Sequence, residues 1–263
     1  EGWAAVNLWD NVRLMNALAN ALFALTLLAA IAAALWWLSQ RPMFSLSRIH
    51  VEAVDGTHLR HVSPPLLRAT AAREVQGNFF AVDLDDVRAT FETVPWVRRA
   101  NVRRIWPDGL AVSLEEHRPL AMWGEDRLVN TFGEVFAANL DEAEEDGELP
   151  QFAGPDGSSL QVARRYAELR EMVEPLGVHP DVVSLSPRHA WTLKLDDGTT
   201  LLLGRDQGTP IERRLARWVE TYPEVVASLQ RRAEVIDLRY PNGFAIRSLA
   251  QIDVNEPAPA SAR

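Results

Sequence analysis

The chain has 263 residues, of which 47% are hydrophobic, with a formal net charge of -9 and no cysteine. Disulfides, zinc–thiolate sites and thiol nucleophiles are therefore excluded. Acidic residues concentrate at 141–148 while Arg98, Arg99, Arg103 and Arg104 cluster elsewhere, so the balance demands neither nucleic acid nor an anionic surface as partner.

No side chain between Arg13 and Arg41 is charged, and residues 14–38 are almost wholly Ala, Leu, Ile, Phe and Trp. At about 1.5 Å per residue this run crosses a hydrocarbon core of about 30 Å with some tilt. Trp36 and Trp37 at its end and Trp9 before its start fit the two headgroup levels. A cleaved signal peptide has a shorter apolar region of about 7 to 15 residues and a small-residue exit; this run leaves through Trp-Trp-Leu. The flanking charges, Glu1, Asp10 and Arg13 against Arg41 and Arg48, do not fix an orientation.

After the anchor, residues 44–54 alternate apolar and polar side chains as a half-buried strand does, until Asp55-Gly56 breaks the pattern. Ser63-Pro64 starts a short helix carrying Leu66, Leu67 and residues 70–72. A second helix is expected over 83–92, with Leu84, Val87 and Phe91 on one face. Residues 96–105 alternate again, and Trp106-Pro-Asp-Gly109 turns into a strand over 110–116. Strand, helix, helix, strand, strand over about 75 residues is the order of a POTRA domain, although other small α+β folds share it.

Beyond Pro119 the signals become short strands and hairpins, over 128–135 around Asn130-Thr-Phe-Gly133 and over 191–203 around Asp197-Gly198. A helix over 159–176 is expected to stop at Gly177. Another begins at Thr209-Pro-Ile-Glu212, with Thr209 as cap and Glu212 reaching back, and runs to about Leu229. Strands over 233–239 and 244–249 flank Tyr240-Pro-Asn-Gly243, and a Pro-Ala-rich tail follows that is expected to be disordered.

The segment VPWVRRANVRRIWPDGLAVSLEEHRPLAMW at 94–123 resembles the FtsQ/DivIB family of bacterial division proteins, in its strand pair and its E-x-x-P-x-A-x-W exit. Support comes from VNTFGEVF (129–136), LGR (203–205), RLARWV (214–219) and VIDLRY (235–240). The resemblance spans about residues 14–248. It implies an α+β chain with a single N-terminal transmembrane helix (14–38) after a short cytoplasmic segment (1–13). A periplasmic POTRA domain (44–118), a mixed β-domain with two helices (119–250) and the tail (251–263) follow. It also implies an inner-membrane scaffold of the divisome, not an enzyme, that holds FtsB and FtsL during septum formation, with FtsW, FtsI, FtsK and FtsN as further neighbours. No cofactor is implied.

Two other readings remain open: a membrane-anchored envelope enzyme, or a POTRA-bearing secretion or assembly factor. The six histidines, at 50, 58, 61, 117, 179 and 189, show no H-E-x-x-H spacing, and no G-x-S-x-G occurs. Residues 141–148 lack the spacing of an EF-hand and read as a solvated acidic loop. The four arginines alternate over both faces of a strand without stacking aromatics, so they are expected to bind carboxylates or backbone. Trp96 and Trp106 are expected to pack in the core or a turn.

For binding without a pocket, the exposed edge of a terminal strand is the natural instrument, because its backbone groups can be completed by another chain. The resemblance places partner binding at Tyr240, Asn242, Gly243, Phe244, Ala245, Ile246, Arg247 and Ser248, with Arg188 of SPRHAW (186–191) upstream. Asn242 stands where the family has serine, and Ser248 where it has tryptophan. The first strand of the POTRA domain, near residues 48–54, is a second candidate surface by analogy.

Overall fold

The computed structural model describes residues 12–39, 41–54, 56, 58–63, 65–67, 78–145, 147–229 and 232–250. Trp9, residues 70–72 of the first expected soluble helix and the Pro-Ala-rich tail lie outside them. The chain divides into two compact units, residues 1–116 and 117–263.

In the first unit, helix α1 (Val12–Ser39) has no buried residue. It is apolar on every side, and its hydroxyls turn inward: Thr26 Oγ1 donates to the Leu22 carbonyl (2.6 Å) and Ser39 Oγ to that of Trp36 (2.7 Å). A helix apolar all round, with none of the described residues packed to bury it, has the surface of a lipid-facing segment. One 3-10 turn (Pro42–Phe44) leads into β1 (Arg48–Ala53). Helix α2 (Leu84–Glu92) is capped by Asp83, whose carboxylate accepts from the Asp85 amide, and it buries Val87 and Phe91.

Strands β2 (Val97–Ile105) and β3 (Gly109–Glu116) complete a three-stranded sheet of order β1-β3-β2, with β1 parallel and β2 antiparallel to β3. Leu110, Ala111 and Val112 are fully buried because β3 is the middle strand. Ser63 caps the short helical segment at 65–67, where the Leu67 amide meets its carbonyl at 3.1 Å.

Three of the four arginines of β2 meet carboxylates or backbone carbonyls. A bulge between Val97 and Arg99 makes Arg98 the extra residue, and its guanidinium meets Glu115 at 2.7 Å. Arg104 donates to the carbonyls of Phe79 (2.9 Å) and Val82 (2.7 Å), and Arg103 lies 3.8 Å from Glu52. Trp96 is buried with a φ of 73°, its ring stacked on His61 at 3.9 Å. At the end of β3, the Glu116 carboxylate accepts the amides of Arg60, His61 and Val62 at 2.7 to 3.0 Å, tying that loop to the sheet.

The second unit contains β4 (Pro119–Trp123), β5 (Arg127–Asn130), β6 (Val135–Phe136), α3 (Leu140–Glu144), β7 (Gln151–Ala153) and α4 (Ser159–Val173). These are followed by β8 (Pro180–Leu185), β9 (Trp191–Leu195), β10 (Thr200–Gly204), α5 (Ile211–Leu229), β11 (Arg232–Asp237) and β12 (Ala245–Ala250). They form one nine-stranded sheet of order β12-β11-β10-β9-β8-β7-β4-β5-β6. Helix α4 buries Val162, Ala163, Leu169 and Val173, and α5 buries Ile211, Leu215 and Trp218. These pack with Phe152, Leu193, Leu201 and Ile236 into one core. After α4, a 3-10 turn (Glu174–Leu176) ends at Gly177 in the left-handed region.

Two local expectations are corrected. The acidic stretch is partly helical: Asn139 caps α3 through the Asp141 amide (3.1 Å), and Ala143 is buried, which holds the segment down. At the start of α5 the Ile211 amide is taken by Asp206 (3.3 Å) rather than by Thr209, and Glu212 is turned away toward Arg165.

Candidate partner-binding edge

Strand β12 lies at one end of the nine-stranded sheet and bonds to β11 alone. Its register pairs Ala245 with Asp237, Ile246 with Ile236, Ser248 with Val235 and Leu249 with Ala233. Arg247 is thus the extra residue of a bulge on β12, answered by Glu234 on β11. Among the described residues, no strand pairs with the outer side of β12. The opposite edge of the sheet is β6, only two residues long.

The turn before β12 is held from three directions. Asp237, fully buried, takes Arg239 through Nε on Oδ1 (2.8 Å) and Nη2 on Oδ2 (2.7 Å), and receives Arg247 Nη2 on Oδ2 at 2.7 Å. The Arg239 hydrogen bonds hold the Asp237 carboxyl below its ordinary value, against the opposing effect of burial. The same carboxylate raises the Arg239 guanidinium.

From helix α5, Arg217 donates to the Pro241 carbonyl at 2.9 Å. One turn earlier Arg214 gathers the ends of two strands, through Nη1 to the carbonyls of Leu203 (2.6 Å) and Leu238 (3.1 Å) and Nη2 to that of Arg205 (2.9 Å). Burial pushes its guanidinium below the usual arginine range. Gly204, at a φ of 72°, leaves room for the Arg239 stem; a Cβ there would lie 2.7 Å from Arg239 Cγ.

The sheet register places the sequence-derived residues at one end. Ala245 pairs with Asp237, Asp237 with Leu202, Leu202 with Thr192 and Thr192 with Ser184. The β8–β9 hairpin tip, residues 186–190, therefore emerges at the same end as the turn at residues 240–243. Arg188 is exposed on that tip, which is closed by the Ser186 carbonyl accepting from His189 at 2.8 Å. Three strand spacings, about 14 Å along the sheet, separate β9 from β12.

Tyr240 is 52% exposed, and Asn242 is exposed beside it. Phe244 and Ile246 are half-buried and pack on the core. Gly243 and Ala245 are half-buried and Arg247 is exposed, although its guanidinium is engaged by Asp237. Ser248 is placed by its pairing with Val235.

Sequence reasoning missed the residues that hold this edge: Asp237, Gly204, Arg214 and Arg217. Their signal was present, since an aspartate inside the apolar run Val235-Ile-Asp-Leu238 needs a partner, and arginines flank it.

Among the described residues, no group of three or more His, Cys, Asp or Glu side chains is assembled as a metal site. His117 stacks on Phe136 at 4.0 Å, and its Nδ1 lies 2.9 Å from Asn130 Nδ2.

Family models match both units: "POTRA domain, FtsQ-type" over residues 44–117 and "Cell division protein FtsQ/DivIB, C-terminal" over 121–239. The cell division protein FtsQ of Burkholderia pseudomallei is 47% identical over 92% of this chain and 94% of its own length. That of Bordetella pertussis is 43% identical over 91% and 92%, and that of Neisseria gonorrhoeae 28% over 91% and 95%. With both units matched and identity sustained along nearly the whole chain, this protein belongs to the FtsQ/DivIB family of cell-division proteins.

Proposed function

We propose that this protein is a membrane-anchored, non-enzymatic scaffold of the divisome that offers the outer side of β12 to an extended segment of a partner. The partners are FtsB and FtsL, with FtsW, FtsI, FtsK and FtsN as further neighbours. Helix α1 spans the inner membrane with its N-terminus cytoplasmic, and the part of the first unit that follows it and the whole second unit lie in the periplasm at the septum.

The observation that carries the reading is the placement of β12 at the sheet edge, bonded on one side only. Unpaired backbone groups supply affinity on strand addition, and exposed neighbouring side chains supply selectivity. Tyr240, Asn242, Gly243 and Phe244 flank the entry of that edge, Ala245, Ile246, Arg247 and Ser248 belong to it, and Arg188 stands at the same end of the sheet. At two residues, β6 is too short to serve in the same way.

The test is photo-crosslinking from position 244 in dividing cells, with identification of the captured chain. An FtsB-like product supports the reading, and its loss in Tyr240→Glu, a substitution at an exposed site, places the contact beside the turn. A protein that is expressed and folded yet captures no such chain refutes the edge as the site.

A further inference from the structure

In the first unit a cluster of aromatic rings lies beside the end of α1. Phe44 and Phe79 are buried at its base, while Phe80 and Trp106 stand outward, 52% and 66% exposed. Ring centroids are 5.1 Å apart for Phe44–Phe80, 5.6 Å for Phe44–Trp106 and 5.8 Å for Phe79–Trp106. Met43 and Ile105, next in the chain to Phe44 and Trp106, are exposed as well, which extends the apolar patch. Neither the fold of this unit nor the β12 edge accounts for it.

The patch is tied to the helix end. The Asn78 side-chain amide donates to the carbonyl of Ser39, the last residue of α1, and the Phe79 amide donates to that of Phe44 at 2.8 Å. A helix of 28 residues is about 42 Å long, against about 30 Å of hydrocarbon and 40 to 45 Å with headgroups. The last turn of α1, with Trp36 and Trp37, therefore lies at headgroup level. Whatever is bonded to Ser39 lies within a few ångströms of that level.

The charges agree with this placement. The Arg41 guanidinium sits 3.5 Å over the Trp37 ring, and Arg104 is held at the Phe79 and Val82 carbonyls. The nearby Asp108 is already engaged by Arg48 and Ser47. An apolar, aromatic surface with cations at its margin is the chemistry of an interfacial membrane contact.

We infer that Met43, Phe80, Ile105 and Trp106 dock on the phospholipid headgroup interface beside α1, so that the first soluble unit rests on the bilayer instead of swinging on a free tether. This inference rests on α1 being a membrane span.

These 263 residues include no cysteine, so single nitroxide labels can be placed in this chain. Three sites serve: Ala81→Cys, exposed beside Phe80; Asp86→Cys, exposed on α2; and Leu28→Cys in α1. Each is reconstituted at one copy per nanodisc of phosphatidylethanolamine and phosphatidylglycerol. Relaxation enhancement by oxygen and by a water-soluble nickel chelate is then measured.

Docking predicts that the label at 81 is several-fold less accessible to nickel than that at 86. Adding Trp106→Glu or Phe80→Glu should bring it to the value at 86, with β-sheet amide protection in the unit retained; Trp106→Ala should do so in part. Equal nickel accessibility at 81 and 86 overturns the docking while leaving the anchor intact. Water access at 28 overturns the anchor itself. Shielding at 81 that appears only with two copies per disc, with spin–spin broadening, assigns the patch to a second copy and also overturns the lipid assignment.

Discussion

Asp237→Asn removes the charge at the centre of the β11–β12 corner while keeping its shape. The carboxylate is fully buried, whereas the Arg239 and Arg247 side chains that hold it are 52% and 51% exposed. Hydrogen bonds to charged groups contribute roughly 1.5 to 3 kcal/mol, and half-exposed guanidiniums stay hydrated when released, so a loss of about 2 kcal/mol is expected. Hydrogen exchange reads this locally. At tenfold per 1.4 kcal/mol, amides of residues 236–247 that are protected in the native protein should exchange about 30-fold faster in the variant.

The pH dependence gives a second test of the same reasoning. Because the native carboxyl is held below its ordinary value, its contribution is complete above about pH 4 and is lost as pH falls through the depressed native value. The difference in protection factor between native protein and variant should be constant from pH 7 to pH 5 and narrow below about pH 4. Unchanged exchange at pH 7, or a difference that widens on acidification, would refute the clamp.

Gly204→Ala should act on the same corner, costing about 1 to 3 kcal/mol because its φ of 72° and a Cβ 2.7 Å from Arg239 Cγ both strain it. Combined with Asp237→Asn it should be clearly less than additive in β12 exchange. Gly133→Ala should be harsher, about 3 kcal/mol or more, since its Cβ would lie 2.6 Å from Leu160 Cα, a backbone atom of α4; thermal denaturation of the full chain in detergent measures it. Glu116→Gln replaces one acceptor of three backbone amides by a donor and should cost about 2 kcal/mol, read as faster exchange at residues 60–62.

Elements whose identity is set locally were legible in the sequence. The helix beginning near residue 83, its apolar positions 87 and 91 and the Gly177 stop each follow from neighbouring residues, and all three appear as expected. Strand β7, three residues in the middle of a sheet, carries too short a pattern to be seen, and it exists because β4 and β8 pair with it on both sides. Capping at α5 was misread because Thr209-Pro-Ile-Glu212 fits a local motif, yet Arg165 on another helix competes for Glu212. The same limit applies to the candidate edge. Its residues were placed by resemblance, but that β12 is outermost depends on the order of all nine strands.

The edge also explains why so many arginines serve so few carboxylates here. An unpaired strand invites indiscriminate pairing, and a bulge on it is one way to restrict that. In β12 the bulged residue is Arg247, and its guanidinium is drawn to Asp237 on β11. The same carboxylate holds Arg239, Gly204 admits the Arg239 stem, and Arg214 and Arg217 fix the carbonyls around it. A strand fastened in this way to its inner neighbour is ordered before any partner arrives, so association need not supply the entropy of ordering it. The four motifs in this unit that carry the family resemblance are thus not scattered marks: three of them, at 203–205, 214–219 and 235–240, meet in one corner that fastens β12 to β11.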